Sequence, residues 1–120
     1  KTEFDLILPV PLHIRKLRER GYNQSSVIAK GIAKALDVPV SEKYLIRNDY
    51  NASQTKFSKY DRWDNVKSIF SVRKPEHLRN KHVLVVDDVL TTGATLEACV
   101  RQLLKVEKCS VSIATLAARI

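Results

Sequence analysis

Two adjacent carboxylates at the end of an apolar segment form the most chemically suggestive feature of this sequence. Asp87 and Asp88 directly follow the run VLVV at residues 83–86. Four consecutive apolar residues are typical of a parallel strand that is buried on both faces. Ligands of open α/β sheets sit at the carboxyl ends of such strands. We therefore predict a strand over residues 81–88 that brings both carboxylates to a ligand site.

The small residues that follow indicate a phosphate site next to these carboxylates. Residues 91–95 read TTGAT, and Gly93 can adopt a positive φ and let a ligand approach the backbone closely. Threonine hydroxyls and the first amides of a following helix would face the same space. Carboxylates accept hydrogen bonds from vicinal hydroxyls and are ligands for Mg²⁺. The two features together predict a site for a phosphorylated ribose, with Mg²⁺ held by Asp87 and Asp88 directly or through water.

An ordinary strand–turn–helix joint is the alternative interpretation of residues 87–95. We favour the ligand site, because buried strands seldom end in two adjacent carboxylates without a ligand or partner. The segment is not a P-loop, since the lysine of that motif is missing.

The remaining sequence predicts the elements that position this site. Apolar patterning predicts strands over residues 4–10, 43–46, 66–72 and 110–116. One helix is expected to begin at Ser25 or Ser26 and to end before Pro39. A second would carry Leu96, Val100, Leu103 and Leu104 on one apolar stripe. The basic stretch at residues 13–24 is predicted to be a loop. This order of elements predicts one α/β domain over residues 1–120 with a mainly parallel central sheet.

The composition of the chain limits which ligands, locations and metal sites we expect. The 120 residues carry a formal charge of +8, which is spread along the chain and permits a polyanionic ligand. No apolar run approaches the length of a membrane span, so we predict no membrane insertion. Cys99 and Cys109 stand ten residues apart with no second pair, so they form neither a disulfide framework nor a zinc site. Reduced, structural cysteines lead us to expect a cytoplasmic protein.

The motif at residues 83–95 resembles the phosphoribosyl-pyrophosphate (PRPP) signature of type I phosphoribosyltransferases. Three further segments, at residues 9–24, 53–55 and 62–70, resemble the ComF/GntX family of competence protein F and its amidophosphoribosyltransferase-like relatives. The resemblance covers almost the whole chain. It implies a type I phosphoribosyltransferase fold with a flexible hood over about residues 47–65. Longer family members carry a zinc-binding module ahead of this domain, and we expect that module to be absent from this chain.

The resemblance also implies a role for individual residues. Asp87 and Asp88 would hold the ribose hydroxyls and Mg²⁺. The 5′-phosphate of PRPP would be wrapped by Thr91, Thr92, Gly93, Ala94 and Thr95. The pyrophosphate loop would contain Val10, Pro11, Leu12 and His13, with Arg20 from the family's RG[FY]NQ element, to which Asn23 and Gln24 also belong. The hood would contribute Gln54, Thr55 and Arg62.

Two functions remain open from the sequence. The first is a phosphoribosyltransferase that binds PRPP with Mg²⁺ and transfers phosphoribosyl to an unidentified acceptor. Thr91 stands where purine-specific relatives often carry a carboxylate, so ammonia or an amine is the expected acceptor. The second is a module without turnover that senses PRPP, or that binds single-stranded DNA nonspecifically in a competence pathway. The expected partners are PRPP or ribose 5-phosphate, with single-stranded DNA and a homodimer left open.

Overall fold

A three-stranded parallel sheet lies at the centre of the computed structural model, which describes residues 3–48, 69–90 and 93–118. Its strands are β1 (Leu6–Pro9), β4 (His82–Leu90) and β5 (Ser110–Ala118), with β4 in the middle. Leu6 pairs with Val83, and His82 pairs with Ser110, both in parallel register. The predicted parallel sheet is therefore confirmed. Two short strands, β2 (Leu45–Arg47) and β3 (Phe70–Val72), form a separate antiparallel pair.

Both faces of the central sheet are covered, as the apolar run in β4 predicts. One face packs on helix α2 (Gln24–Leu36), where Ile7, Leu84 and Val86 are buried with Ala29 and Ala33. The other face packs on helix α3 (Ala94–Leu103) and on the β2–β3 pair, where Leu8, Val83 and Val85 meet Leu96 and Phe70. The strand β4 continues to Leu90, two residues beyond the predicted end at Asp88. Asp87 and Asp88 therefore lie within the strand, because residues before and after them pair with β5.

The basic stretch predicted to be a loop contains a helix instead. Helix α1 spans Ile14–Arg20 and is capped at both ends. The Nδ1 atom of His13 accepts a hydrogen bond from the backbone N–H of Arg15, and Gly21 ends the helix in the left-handed conformation at φ 82°. The prediction was wrong because α1 has only seven residues and buries none of them. Its formation therefore depends on caps and tertiary position rather than on an apolar stripe.

Helix α2 begins at Gln24, one or two residues earlier than predicted. Its N-cap is Asn23, whose side-chain oxygen accepts a hydrogen bond from the N–H of Ser25 at 3.1 Å. Ser25 and Ser26, the predicted caps, lie inside the helix and are buried. Asp37 ends the helix in the left-handed conformation, two residues before Pro39. None of the helices in the described ranges has the length and hydropathy needed to cross a membrane.

Helix α3 follows the predicted apolar stripe except at its end. Leu96 and Leu103 are buried against the sheet, as is Cys99. Leu104 was predicted to share this stripe, but it is 58% exposed. The reason is that the helix ends at Leu103, so Leu104 is the C-cap, and the chain then turns to place Val106 in the core.

Both thiols are expected to be inert in the folded protein. Cys99 and Cys109 are free and buried, and burial raises the pKa of Cys99 to about 12, with the nearby charge of Asp87 acting in the same direction. Burial also raises the pKa of Cys109. Since the thiolate is the nucleophile, labelling with a thiol reagent at mildly alkaline pH should be slow until denaturant is added. Rapid labelling of either cysteine in the native protein would show that the core around it opens.

Candidate ligand site

A cavity of about 210 Å³ lies where β1 and β4 end, and we name it the acid-pair cavity. It collects residues from the loop after β1 and from α1, α2, β2, β4 and α3, which are far apart in the sequence. The residues that line it are Val10, Pro11, Leu12, Lys16, Arg20, Asn23, Gln24, Ser25, Arg47, Asp87, Asp88, Val89 and Thr95. Polar and charged side chains dominate this lining, which indicates a ligand that is itself highly polar.

Asp87 is the better fixed of the two carboxylates. Its Oδ1 atom accepts hydrogen bonds from the hydroxyl of Ser25 at 3.2 Å and from the backbone N–H of Asp88 at 2.9 Å. Burial raises the pKa of Asp87 above 3.8, and the negative charge of Asp88 adds to the increase, while the Asp88 N–H and the Ser25 hydroxyl oppose it. Asp87 is therefore an incompletely compensated carboxylate, which a cation or a hydroxyl donor would stabilise.

Asp88 is also partly buried and faces the same cavity. Its Oδ1 atom accepts a hydrogen bond from the N–H of Val89 at 2.8 Å. Adjacent residues of a strand point to opposite faces, yet both carboxylates line this cavity, which lies beyond the point where the pairing of β4 with β1 ends at Val86. The pair therefore presents its oxygens to a ligand from two directions.

Asn23 joins the start of α2 to the loop after β1. Besides capping α2, its side-chain Nδ2 atom donates a hydrogen bond to the backbone oxygen of Val10 at 3.0 Å. Val10 opens the predicted pyrophosphate loop, and its N–H in turn bonds to the backbone oxygen of Val86. This chain of bonds fixes the loop and the start of α2 on the strand that carries the acidic pair.

The four cationic side chains of helix α1 line two different cavities. Lys16 and Arg20, four residues apart and so on one face of the helix, line the acid-pair cavity. Arg15 and Arg18 instead line a separate cavity outside it, together with His13. Only two of the four cations can therefore neutralise a ligand beside Asp87 and Asp88.

A third cation comes from β2. The register of the β2–β3 pair places Arg47 opposite Phe70, and the guanidinium lies 5.4 Å from the centre of that ring. The Nε atom of Arg47 is buried and has no hydrogen-bond partner among the described residues. A buried donor without a partner is costly, so an acceptor atom from a ligand at this position would be favourable.

Gly93 at the start of α3 has the predicted backbone conformation. Gly93 adopts φ 82° at the N-cap of α3, which confirms the predicted positive φ. Thr95, in the first turn, lines the acid-pair cavity, so this helix begins at its edge. Partial positive charge at a helix N-terminus favours an anion there. The arrangement suits a phosphate group next to the acidic pair.

Gly93 should be less tolerant of substitution than Gly31. We expect Gly93→Ala to reduce the free energy of unfolding by about 1–2 kcal/mol, because a Cβ is unfavourable in the left-handed region. Gly31 lies within α2, and a Cβ there would meet no atom within 4 Å. Gly31→Ala should instead stabilise the protein by roughly 0.5–1 kcal/mol. Urea unfolding of both variants tests this, and equal effects would contradict it.

The structure brings together most of the predicted site residues that it describes. Val10, Pro11, Leu12, Arg20, Asp87, Asp88 and Thr95 all line the acid-pair cavity. His13 does not, since its ring caps α1 and lines a separate cavity, and Gly93 and Ala94 are not among the lining residues either. Thr91 and Thr92 lie outside the described residues, as do Gln54, Thr55 and Arg62, so their roles stay predictions.

Several residues of the cavity were not identified as ligand contacts from the sequence, among them Lys16, Ser25 and Arg47. Lys16 could have been found by its spacing of four from Arg20 if α1 had been predicted. Ser25 was considered only as a cap, whereas its hydroxyl binds Asp87. Arg47 carries no local signal, since its place in the cavity depends on how the β2–β3 pair docks on the core.

Comparison with known proteins agrees with this geometry. A sequence profile of the family described as "Phosphoribosyl transferase domain" matches residues 23–120. The chain belongs to this family. Competence protein F of Haemophilus influenzae is 37% identical over 94 residues, which are 77% of this chain and 41% of that protein. DNA utilization protein YhgH of Escherichia coli K12 is 32% identical over 101 residues, or 84% of this chain and 44% of that protein.

Competence protein ComFC of Bacillus subtilis is 37% identical over 112 residues, which are 92% of this chain and 43% of that protein. The phosphoribosyl transferase domain thus spans less than half the length of these relatives. Their names confirm the resemblance to the competence protein F family.

Solved structures confirm the fold. Glutamine PRPP amidotransferase of Bacillus subtilis, complexed with ADP and GMP, superposes with a TM-score of 0.65 at 25% identity, over 96% of this chain and 23% of that chain. A purine phosphoribosyltransferase of Pyrococcus horikoshii gives 0.58 at 23% identity, over 97% of this chain and 63% of that chain, and supports the fold alone. The predicted type I phosphoribosyltransferase fold is therefore confirmed.

Proposed function

We propose that this phosphoribosyl transferase domain binds PRPP with Mg²⁺ in the acid-pair cavity and transfers the phosphoribosyl group to an acceptor. The observation that carries the proposal is the convergence of two carboxylates, three cations and a helix N-terminus on one cavity. A sugar with a phosphate at one end and a pyrophosphate at the other matches this distribution. The carboxylates suit its hydroxyls, and the helix N-terminus suits its 5′-phosphate.

The cations of the cavity would bind a different part of the ligand, its pyrophosphate. Lys16 and Arg20 of α1 and Arg47 of β2 stand around the carboxylates and would attract the pyrophosphate. In the transfer, a lone pair of the acceptor forms a bond to C1 of the ribose. The bond from C1 to the pyrophosphate oxygen breaks, and pyrophosphate leaves with the electron pair. The three cations would stabilise the negative charge that develops on it.

The residues present also fit Mg²⁺. Asp87 and Asp88 both offer carboxylate oxygens to the cavity, and burial raises the pKa of Asp87, so a cation beside it would be favourable. Mg²⁺ is usually bound by one or two carboxylates together with substrate phosphates and water. When bound, it would neutralise charge on the pyrophosphate. The protein's own contribution is to hold the ribose and to fix the loop after β1 through Asn23.

Thermal unfolding with ligands tests the proposal. PRPP at about 100 times its dissociation constant should add roughly 2.7 kcal/mol of stability, and omission of Mg²⁺ should weaken the effect. Ribose 5-phosphate should stabilise less, because it lacks the pyrophosphate that the cations would bind. Ribose without phosphate serves as the negative control. No shift with millimolar PRPP and Mg²⁺ would refute the proposal.

Pyrophosphate release separates transfer from sensing. Incubation with PRPP, Mg²⁺ and ammonia or a primary amine should release pyrophosphate faster than PRPP decays without protein. Stabilisation by PRPP with no release by any amine would instead favour the sensing function.

Single-stranded DNA binding is a second proposal, favoured by the position of Arg15 and Arg18 outside the acid-pair cavity. Phosphate contacts of this kind are nonspecific and weaken steeply with salt. Replacing Arg15 and Arg18 with Glu should therefore weaken oligonucleotide binding more than PRPP binding. The opposite order would exclude a separate DNA surface on α1.

A further inference from the structure

A second basic cavity lies beside the β2–β3 pair, and we name it the β2–β3 cavity. It has a volume of about 560 Å³, within the range of small-molecule sites, which are about 300–1,000 Å³. None of its lining residues lines the acid-pair cavity. Neighbouring residues of a strand point to opposite faces, and Ile46 lines the β2–β3 cavity whereas Arg47 lines the acid-pair cavity. The two cavities are therefore separate sites.

The antiparallel pairing of β2 with β3 brings the polar residues of this cavity together. Leu45 pairs with Val72, and beside this pair the N–H of Arg73 donates a hydrogen bond to the backbone oxygen of Tyr44 at 2.8 Å. The residues just before β2 thus lie next to those just after β3, although they are far apart in the sequence. A 3₁₀-helical turn at Pro75–His77 then places His77 in the same lining.

The charges of this lining are unequal. Its cations are Lys43, Arg73 and Lys74. All three are exposed, and none forms an ion pair with another of the residues that the structure describes. The carboxylate of Glu42 also lines the cavity, but it accepts a hydrogen bond from the Ser26 hydroxyl at 2.6 Å and lies 3.9 Å from the Nζ atom of Lys30. The excess of positive charge favours an anionic ligand.

Tyr44 and His77 provide aromatic surface next to these cations. Their ring centres are 5.8 Å apart in an edge-to-face arrangement, and the hydroxyl of Tyr44 lies 3.0 Å from the Nδ1 atom of His77. When the phenol donates to Nδ1, the proton of neutral His77 is on Nε2, which can then donate to a ligand. The pair is thus fixed in position and suits a flat group that stacks on aromatic rings.

We propose that the β2–β3 cavity binds a free nucleotide, which joins a flat base to a phosphate through a sugar. The three cations would bind the phosphate, and the base would stack on the aromatic pair, with Ile46 as further apolar surface. A single-stranded nucleic acid has the same chemical groups, but its sites carry cations and rings along an extended groove. Here both are confined to one cavity, which favours a free nucleotide. This site is independent of the proposed transfer reaction.

The ring protons of His77 report on binding in this cavity. The chain has three histidines, so comparison with His77→Asn assigns the His77 signals in a proton NMR spectrum. AMP should shift these signals saturably, because a stacked base changes the magnetic field at the ring. His82 is an internal control, since it bonds to Ser112 and does not line the cavity. No shift of the His77 signals at millimolar AMP would overturn the proposal.

Matched ligands separate the contributions of phosphate and base, and each is followed at His77 so that binding elsewhere does not contribute. AMP should bind at least about tenfold more tightly than adenosine, because a hydrogen bond to a charged group contributes about the free energy of a tenfold change or more. Ribose 5-phosphate lacks the base and should also bind more weakly than AMP. An affinity for adenosine or ribose 5-phosphate equal to that for AMP would contradict the proposed contacts.

The double variant Arg73→Gln, Lys74→Asn removes two of the cations. Asparagine suits position 74, because Lys74 has φ 50° and asparagine adopts the left-handed conformation readily. AMP binding measured at His77 should weaken at least about tenfold. Arg79→Gln, Lys105→Gln is the matched control, since it removes the same charge from exposed residues that do not line the cavity. Equal losses in the two double variants would reflect net charge alone and would overturn the proposal.

Two further ligands identify the occupant and the site. An oligothymidylate that shifts the His77 signals when AMP does not would refute the free nucleotide in favour of a single strand. Saturating PRPP with Mg²⁺ should leave the AMP response of His77 unchanged, because the two cavities share no lining residue. Loss of that response would show that AMP does not bind a separate site. Failure of PRPP to bind would refute the proposed function and leave the AMP result unaffected.

Discussion

The double variant Asp87→Asn, Asp88→Asn is expected to lose stabilisation by PRPP and Mg²⁺ while it keeps its fold. Each substitution removes charge-assisted hydrogen bonds to the ligand, which contribute about 1.5–3 kcal/mol apiece, so affinity should decrease at least about 100-fold. The fold should tolerate both changes, because asparagine has nearly the same shape as aspartate and its Oδ1 can still accept the hydrogen bond from Ser25. Burial and the charge of Asp88 also raise the pKa of Asp87, so the ionised carboxylate does not favour folding of the apo protein.

Thermal unfolding with and without ligand checks both parts of this prediction. Glu97→Gln is a matched control, since Glu97 is an exposed carboxylate in the first turn of α3 that binds Arg101 and does not line the acid-pair cavity. It should retain the full shift with PRPP. A double variant that still responds to PRPP like the parent would show that the carboxylates do not bind the ligand. Loss of the fold without ligand would show that the acidic pair is structural.

Leu103→Ala is expected to have the largest effect on stability among simple truncations of α3. Leu103 is fully buried between α3 and the sheet, and truncation of a buried leucine costs about 2–5 kcal/mol. This is a large part of the roughly 5–15 kcal/mol that stabilises a domain. Leu104 is the next residue and is 58% exposed, so Leu104→Ala should change the free energy of unfolding by no more than about 0.5 kcal/mol.

Urea unfolding of the two variants measures this difference. Leu103→Met, which nearly conserves volume, should cost less than about 1.5 kcal/mol and provides a folded variant if Leu103→Ala is too unstable to purify. Similar losses for Leu103→Ala and Leu104→Ala would mean that the apolar stripe of α3 includes Leu104, as its sequence spacing suggested.

Strand β4 and the positive φ of Gly93 could be predicted because the residues that determine them are adjacent in the sequence. Four apolar residues in a row require cover on both faces of a strand, and β4 has that cover. Gly93 is the only residue of its turn without a Cβ, and it adopts the positive φ that this permits. The type I phosphoribosyltransferase fold was expected from the resemblance of residues 83–95 to the PRPP signature.

The sequence was less informative where an element depends on its surroundings. Helix α1 buries none of its residues, so it has no periodic apolar pattern that would distinguish it from a loop. Its capping residues are the only features of the local sequence that indicate a helix. Leu104 continues the apolar spacing of α3, yet the chain leaves the helix there and turns Val106 inward instead.

Only the tertiary structure could assemble the site around the acidic pair. Ser25 and Asp87 form a hydrogen bond although they are 62 residues apart in the sequence. Asn23 likewise forms a hydrogen bond to Val10, which lies on the other side of α1 in the sequence. Arg47 lines the acid-pair cavity because β3 holds it over Phe70, an arrangement that no spacing within β2 encodes. Residue types determine which chemistry is available, and local patterns determine helices and strands. The distances between the residues of the candidate site depend instead on how those elements pack, because hydrophobic burial has no preferred direction.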